Sequence, residues 1–194
     1  MITEAGPGRW SPRRIAMVAA LLTAALGACG DDPFSYNWSD VPDTVQMYSL
    51  ARPELNLPSG FSFYDGFLLA VEQPSATGRW DVALDTEGGD LVLLPPGAVG
   101  IDSRARIAAL PGTPYEDVTQ APGDGSVWVD SEAVTVAAGT TYVVRTNIRL
   151  GSFGSACTYY AKMEPVTIDV PGGTLLFRYT TNPICNSRDL VPPN

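Results

Sequence analysis

The three cysteines are the residues whose surroundings point most directly to chemistry. Cys29 ends the tetrapeptide 26–29 (Leu-Gly-Ala-Cys), which closes the apolar run 15–26, and three arginines precede that run within residues 9–14. A basic segment, a short apolar stretch and small residues before a cut are typical of an export signal. We therefore predict that segment 1–28 is a lipoprotein signal peptide and that the Cys29 thiol receives a lipid such as palmitate. The lipid would anchor the chain in a bacterial cell envelope, at the periplasmic or the external face of the outer membrane.

The other two cysteines, Cys157 and Cys185, flank a predicted β-hairpin. Its strands, 160–170 and 174–179, alternate apolar and polar residues, and Pro-Gly-Gly at 171–173 forms the turn. Paired residues in an antiparallel hairpin have a nearly constant sum of residue numbers. Counted from that turn, this sum places the two cysteines nearly opposite one another, allowing for a bulge near proline 165. An exported protein folds in an oxidising compartment, so we predict a disulfide between them rather than two free thiols.

Histidine is absent from the chain. This excludes a Ser-His-Asp triad, His-rich zinc sites and bis-histidine haem ligation. Carboxylate-only chemistry, such as glycoside hydrolysis, and a loose surface calcium site remain open. The candidates for carboxylate catalysis are four acidic residues, Asp81, Asp85, Glu87 and Asp90, and the candidate for calcium is the segment 85–90. Because they lie beside Trp80 and a Gly-Gly pair, we interpret them as a strand end and a solvated turn, and we expect no enzyme.

The charge of the chain limits its partners. It carries 21 acidic and 12 basic side chains, a formal net charge of −9, and its only lysine is Lys162. No basic cluster is present, so nucleic acids and anionic membrane surfaces are not expected partners.

The elements that must position these residues are predicted to be short β-strands. From residue 45 onward β-prone segments alternate with Gly, Pro and Asp, and no segment holds a helical apolar period over three turns. We predict a polar tether over 29–44 after the lipidated cysteine and one antiparallel, sandwich or barrel-like domain over 45–194. The predicted strands are 45–51, 61–71, 79–84, 91–94, 104–110, 126–130, 140–150, 158–170 and 174–180.

Several of these strands contain short segments similar to those of a known family. Residues 141–146 (Thr-Tyr-Val-Val-Arg-Thr), 160–163 (Tyr-Ala-Lys-Met) and 176–179 (Leu-Phe-Arg-Tyr) resemble the closing strands of HmuY-like haem-binding lipoproteins. Upstream, 61–64 (Phe-Ser-Phe-Tyr) and 80–84 (Trp-Asp-Val-Ala-Leu) resemble earlier strands of that family in the same order. The resemblance implies an all-β, HmuY-like fold on a lipid anchor, with haem capture as the family activity.

The resemblance leaves the ligand open. The family holds haem between two axial side chains, histidine or methionine, on segments where this chain has neither. The two methionines that follow the predicted signal peptide, Met47 and Met163, are the haem-ligand candidates, although packing in the core is the alternative interpretation for both. Tyr115 and Tyr142 are further potential iron ligands. The competing function is a structural or adhesive envelope lipoprotein that binds protein or glycan.

Overall fold

The computed structural model describes residues 38–151 and 154–193. The predicted signal peptide, Cys29 and most of the predicted tether lie outside these residues. The described part contains no α-helix, four short 3₁₀ turns (Pro74–Ala76, Pro96–Val99, Tyr115–Asp117 and Gly125–Val127) and twelve strands. The strands are β1 Asp43–Tyr48, β2 Gly60–Ser62, β3 Phe67–Leu69, β4 Val82–Glu87, β5 Asp90–Leu94, β6 Arg106–Pro111, β7 Val134–Thr135, β8 Thr140–Arg145, β9 Arg149–Leu150, β10 Ala156–Cys157, β11 Tyr160–Asp169 and β12 Thr174–Thr181.

Within the described residues the larger strands form two open antiparallel sheets. The first has the order β1-β12-β11-β8-β6 and the second the order β3-β2-β4-β5-β7, while β9 and β10 form a separate two-stranded ribbon. The predicted all-β, antiparallel class is therefore confirmed, and the sheets do not close into a barrel. The described residues include no helix long and apolar enough to cross a membrane.

A shared hydrophobic core joins the inner faces of the two sheets. It includes Met47 and Phe177 from the first sheet and Phe61 and Leu84 from the second, all fully buried. The rings of Phe61 and Phe177 meet edge-on with centroids 5.5 Å apart, a favoured aromatic geometry. Burial of this core is the main driving force for the fold.

The predicted hairpin is present as β11 and β12. Its register shifts by one residue between Pro165 and Thr167, the bulge expected at a proline that cannot donate a ladder hydrogen bond. Beyond its open end Cys157 and Cys185 form a disulfide with Cα atoms 5.0 Å apart. The predicted disulfide is confirmed.

Three predicted strands differ from the structure. The segment 140–150 is divided into β8 and β9, since residues 146–148 belong to no strand. The segment 61–71 is divided into β2 and β3, because Gly66 adopts a φ of 67° and its N–H donates to the Ser62 carbonyl at 2.9 Å. The strand at 126–130 is wrong, because the Asp124 side chain accepts from the Ser126 N–H and caps a 3₁₀ turn there. Within the segment 126–130, only Val129 forms an isolated antiparallel β-bridge, with Ile107.

Candidate functional site

A surface cleft of about 240 Å³ lies where the two sheets meet at one end of the domain. We call it the Trp38 cleft. The segment leading into β1, the end of β12 and the turn between β2 and β3 all contribute to it. Its lining consists of Trp38, Ser39, Val41, Asp43, Phe63, Tyr64, Asp65, Gly66, Tyr179, Thr180, Thr181 and Pro183.

The turn between β2 and β3 presents Tyr64 and Asp65 to the cleft. Tyr64 is 43% exposed, and one side of its ring is packed against Tyr159 with centroids 4.5 Å apart. The hydroxyl of the buried Ser62 donates to one Asp65 carboxylate oxygen at 3.0 Å, which fixes the orientation of that side chain. The cleft therefore has an aromatic wall and a carboxylate in defined positions.

The buried carboxylate of Asp81 supports this turn from below. It accepts the Phe63 N–H at 2.8 Å on one oxygen and the Asn147 N–H at 3.0 Å on the other, and Arg149 lies 3.9 Å away. Burial raises the pKa of Asp81 to about 6, opposed by these N–H groups and by the Arg149 charge. Asp81 thus connects the base of the cleft to the loop after β8.

Tyr179 and Gly66 form the inner wall of the cleft. Tyr179 is 8% exposed, and no described residue hydrogen-bonds its hydroxyl. A Cβ atom at Gly66 would lie 3.5 Å from this hydroxyl, an ordinary van der Waals distance, so Gly66 adjoins the hydroxyl in the cleft. Burial and the charge of Asp43, which pairs with Tyr179 across β1 and β12, raise the pKa of the Tyr179 phenol. The phenol is therefore neutral at physiological pH and can both donate and accept hydrogen bonds.

The cleft is acidic. Its lining includes the exposed carboxylates Asp43 and Asp65 and neither lysine nor arginine. Neither carboxylate belongs to an ion pair among the described residues. The half-buried indole of Trp38 contributes a second aromatic surface, and its N–H has no hydrogen-bond partner in the described part of the chain.

A second cleft, of about 290 Å³, is lined in part by Tyr115 and is called the Tyr115 cleft. The buried Lys162 ammonium donates to the carbonyls of Tyr115 and Val118 at 3.0 Å and lies 4.5 Å from the Tyr115 ring centroid. Desolvation lowers the pKa of Lys162, although the nearby Glu116 carboxylate opposes that effect. The Tyr115 hydroxyl donates to Thr180 at 2.9 Å. These polar groups are already satisfied by the protein, which makes the Tyr115 cleft a weaker candidate.

A third cleft, of about 410 Å³, lies beside the turn between β11 and β12. Arg52 crosses it, donating to both Glu54 carboxylate oxygens and to the Gly172 carbonyl. This arginine is therefore also occupied within the protein.

The structure places the two methionine candidates in the core. Met47 on β1 and Met163 on β11 are both fully buried in the cluster shared by the two sheets, and neither lines any of the three clefts described here. A haem between them would have to displace packed aromatic and aliphatic side chains. These residues do not fit a haem-ligand pair. Both methionines lie in the hydrophobic core, as the alternative interpretation from the sequence predicted.

The tyrosine candidates are engaged as well. The buried Tyr142 hydroxyl donates to the Thr135 carbonyl and accepts the Ala137 N–H, both at 2.8 Å. Tyr115 is covered by Lys162 and by Arg178, whose guanidinium carbon lies 4.4 Å from the ring centroid. Neither phenol is available to iron in this arrangement.

The carboxylate candidates do not converge. Asp81 is buried, whereas Glu87 and Asp90 face each other at the exposed β4–β5 turn. Asp85 accepts hydrogen bonds from Ser49 and from the Thr86 N–H. Among residues 38–151 and 154–193 no group of three or more His, Cys, Asp or Glu side chains could hold a metal ion.

Sequence reasoning missed the Trp38 cleft because Trp38 and Asp43 fall within the predicted tether, 29–44. A signal was present, since a tryptophan usually buries its large ring and is unusual in a solvated linker. The Asp65-Gly66 pair is likewise a turn signal inside the predicted strand 61–71.

No protein-family model matches the chain, and no curated protein matches it either.

Proposed function

We propose that this chain is a bacterial envelope lipoprotein of HmuY-like architecture, anchored through Cys29, whose β domain acts by binding a small polar ligand. The disulfide between Cys157 and Cys185 carries the proposal. Such bonds are typical of exported proteins, and this one leaves Cys29 as the remaining cysteine of three, at the end of the lipoprotein-type signal. Lipidation and the disulfide together use every thiol of the chain.

The positions of the family-like motifs support the HmuY-like part of the proposal. Residues 141–146, 160–163 and 176–179 fall on β8, β11 and β12, which are adjacent in the first sheet. Residues 61–64 and 80–84 fall on or beside β2 and β4, which are adjacent in the second. Motifs distant in sequence thus form the centres of both sheets.

The Trp38 cleft supports binding of a sugar-sized ligand in preference to haem. Trp38 and Tyr64 line the same cleft as Asp43 and Asp65, and aromatic rings together with carboxylates are a combination that glycan-binding sites use. The cleft of about 240 Å³ is smaller than a typical drug-sized pocket and suits a single ring or a terminal group of a larger partner. Binding rather than catalysis is proposed because the buried carboxylate, Asp81, is hydrogen-bonded as a support for the turn.

The anchor would keep this cleft close to the envelope surface. Trp38 follows Cys29 by nine residues, and a fully extended chain of that length spans about 30 Å, whatever path it takes. The ligand is therefore expected among molecules found at or near the membrane surface, such as envelope glycans.

The anchor is tested by labelling the full chain with radioactive palmitate in a Gram-negative host. We expect label and membrane association in the wild type, loss of both in Cys29→Ala, and full label in the matched cysteine control Cys185→Ala. Label retained by Cys29→Ala would contradict the anchor.

The binding function is tested separately by titrating the full-length protein, in a neutral detergent, with a panel of monosaccharides by ligand-observed NMR. Saturable binding that is lost in Trp38→Ala but kept in the Trp128→Ala control would support the cleft. Absence of binding across the panel would contradict the sugar-sized ligand, whatever the labelling shows.

A further inference from the structure

We infer that the Trp38 cleft selects ligands that carry a positively charged organic ammonium group. This inference rests on the proposed binding function of the cleft and names the class of ligand. The observations behind it are the charge of the lining, the aromatic faces and the unpartnered phenol.

The charge of the lining favours a cation. Asp43 and Asp65 approach the cleft from different sheets, one at the start of β1 and the other in the β2–β3 turn. No lysine or arginine lines the cleft, and neither carboxylate is paired within the described residues. An anion placed there would meet uncompensated negative charge, whereas a cation would be attracted to both walls.

The aromatic side chains of the cleft also favour a cationic ligand, at short range. Tyr64 lines the cleft, is 43% exposed, and packs against Tyr159 at an interplanar angle of 35°, so part of its side chain stays accessible. Trp38 supplies an indole, the best of the aromatic surfaces for a cation. Aromatic side chains around a cation are the arrangement that recognises quaternary ammonium groups, and Trp38 and Tyr64 bring two such side chains to the cleft.

The Tyr179 hydroxyl supplies the observation that is independent of surface charge. Tyr179 is more than nine-tenths buried, lines the cleft and has no hydrogen-bond partner among the described residues. Its hydroxyl oxygen is not sealed from solvent, so a ligand in the cleft can reach it in place of water. Gly66, which also lines the cleft, adjoins this hydroxyl. A primary ammonium or a neighbouring hydroxyl of the ligand would satisfy it.

Two sources of such a group are distinguishable. One is an amino sugar with a free amine, and the other is a choline-type quaternary ammonium. Both share the positive charge, but only the primary ammonium can donate a hydrogen bond to the Tyr179 oxygen.

The experiment uses ligand pairs that differ in charge and little else. Full-length protein in neutral detergent is titrated calorimetrically with choline and its uncharged isostere 3,3-dimethylbutan-1-ol, and with glucosamine and glucose. We expect at least one cation to bind about tenfold or more tightly than its neutral partner, equivalent to about 1.4 kcal/mol. The pair that shows the larger ratio identifies the source.

Matched variants locate the effect. Asp43→Asn and Asp65→Asn keep the size of each side chain and should each reduce the ratio about threefold or more, while the exposed Asp90→Asn control leaves it unchanged. Equal affinities within both pairs would overturn charge selection while leaving a sugar-binding cleft in place. Absence of binding by all four compounds would overturn the inference, and palmitate labelling would still decide the anchor independently.

Discussion

At the scale of single residues, Asp81 couples pH to stability. Its pKa in the folded protein is about 6, against an ordinary value of 3.8, because the carboxyl is fully buried. The folded state therefore holds this proton more tightly than the unfolded state does. The stabilisation of the folded state by the protonated Asp81 is therefore fully present below about pH 4 and is lost as the pH rises through about 6.

Replacing Asp81 by Asn should remove this dependence and destabilise the domain. An amide has one acceptor oxygen, so the N–H of Phe63 or that of Asn147 loses its partner, at a cost of about 1–3 kcal/mol. On acidification from neutral pH to about pH 4, the wild type should gain up to about 3 kcal/mol relative to the variant. Urea unfolding at both pH values measures the difference. Parallel pH profiles of wild type and variant would contradict it, and Asp90→Asn is the exposed control.

Lys162 is the second residue whose burial makes a prediction. Its ammonium is the donor for two carbonyls at the 3₁₀ turn Tyr115–Asp117 and the following residue. Lys162→Met keeps the length of the side chain but leaves both carbonyls without this donor, so we expect a loss of about 1–3 kcal/mol. Thermal unfolding of this variant is compared with Arg104→Met, which removes an exposed cation. Equal losses of stability in the two variants would show that the hydrogen bonds of the buried ammonium add nothing to the stability of the fold.

At the scale of elements, the disulfide stabilises the end of the main hairpin. It ties β10 to the segment after β12 and closes a loop with a sequence separation of 28 residues. In the chain-entropy model this stabilises the fold by about 3–4 kcal/mol. The double variant Cys157→Ala/Cys185→Ala should therefore unfold at a lower urea concentration, while wild type treated with reductant should approach the variant. An unchanged midpoint in both would contradict this contribution.

The elements also show where sequence reasoning succeeds. The β11–β12 hairpin was predictable, since its period-two pattern, its Pro-Gly-Gly turn and the bulge at Pro165 all act locally. The 3₁₀ turn at Gly125–Val127 was not, because a single Asp124 hydrogen bond outweighed the β propensity of Val127 and Trp128. Likewise Trp38 looked like part of a linker, because the residues that complete its cleft lie on distant strands.

At the scale of the whole molecule, the pairing of the sheets decides which residues can act on a ligand. Met47 and Met163 lie on strands flanking β12, and the second sheet covers both of them. By contrast, Asp43 and Asp65 line one cleft only because the start of β1 and the β2–β3 turn lie at the same end of the domain. Residue type alone suggested the methionines, whereas packing favours the acidic cleft.

This contrast predicts the result of a haemin titration of the full-length protein. Because both thioethers are packed in a core shared by two sheets, we expect non-saturating spectra without a sharp Soret shift, unchanged in Met47→Leu and Met163→Leu. Leucine nearly conserves the volume of methionine and removes the sulfur, so these variants should fold. A saturable Soret shift lost in either variant would show that the core opens to admit haem. A shift retained in both would instead place haem on other ligands and would challenge the proposed small polar ligand.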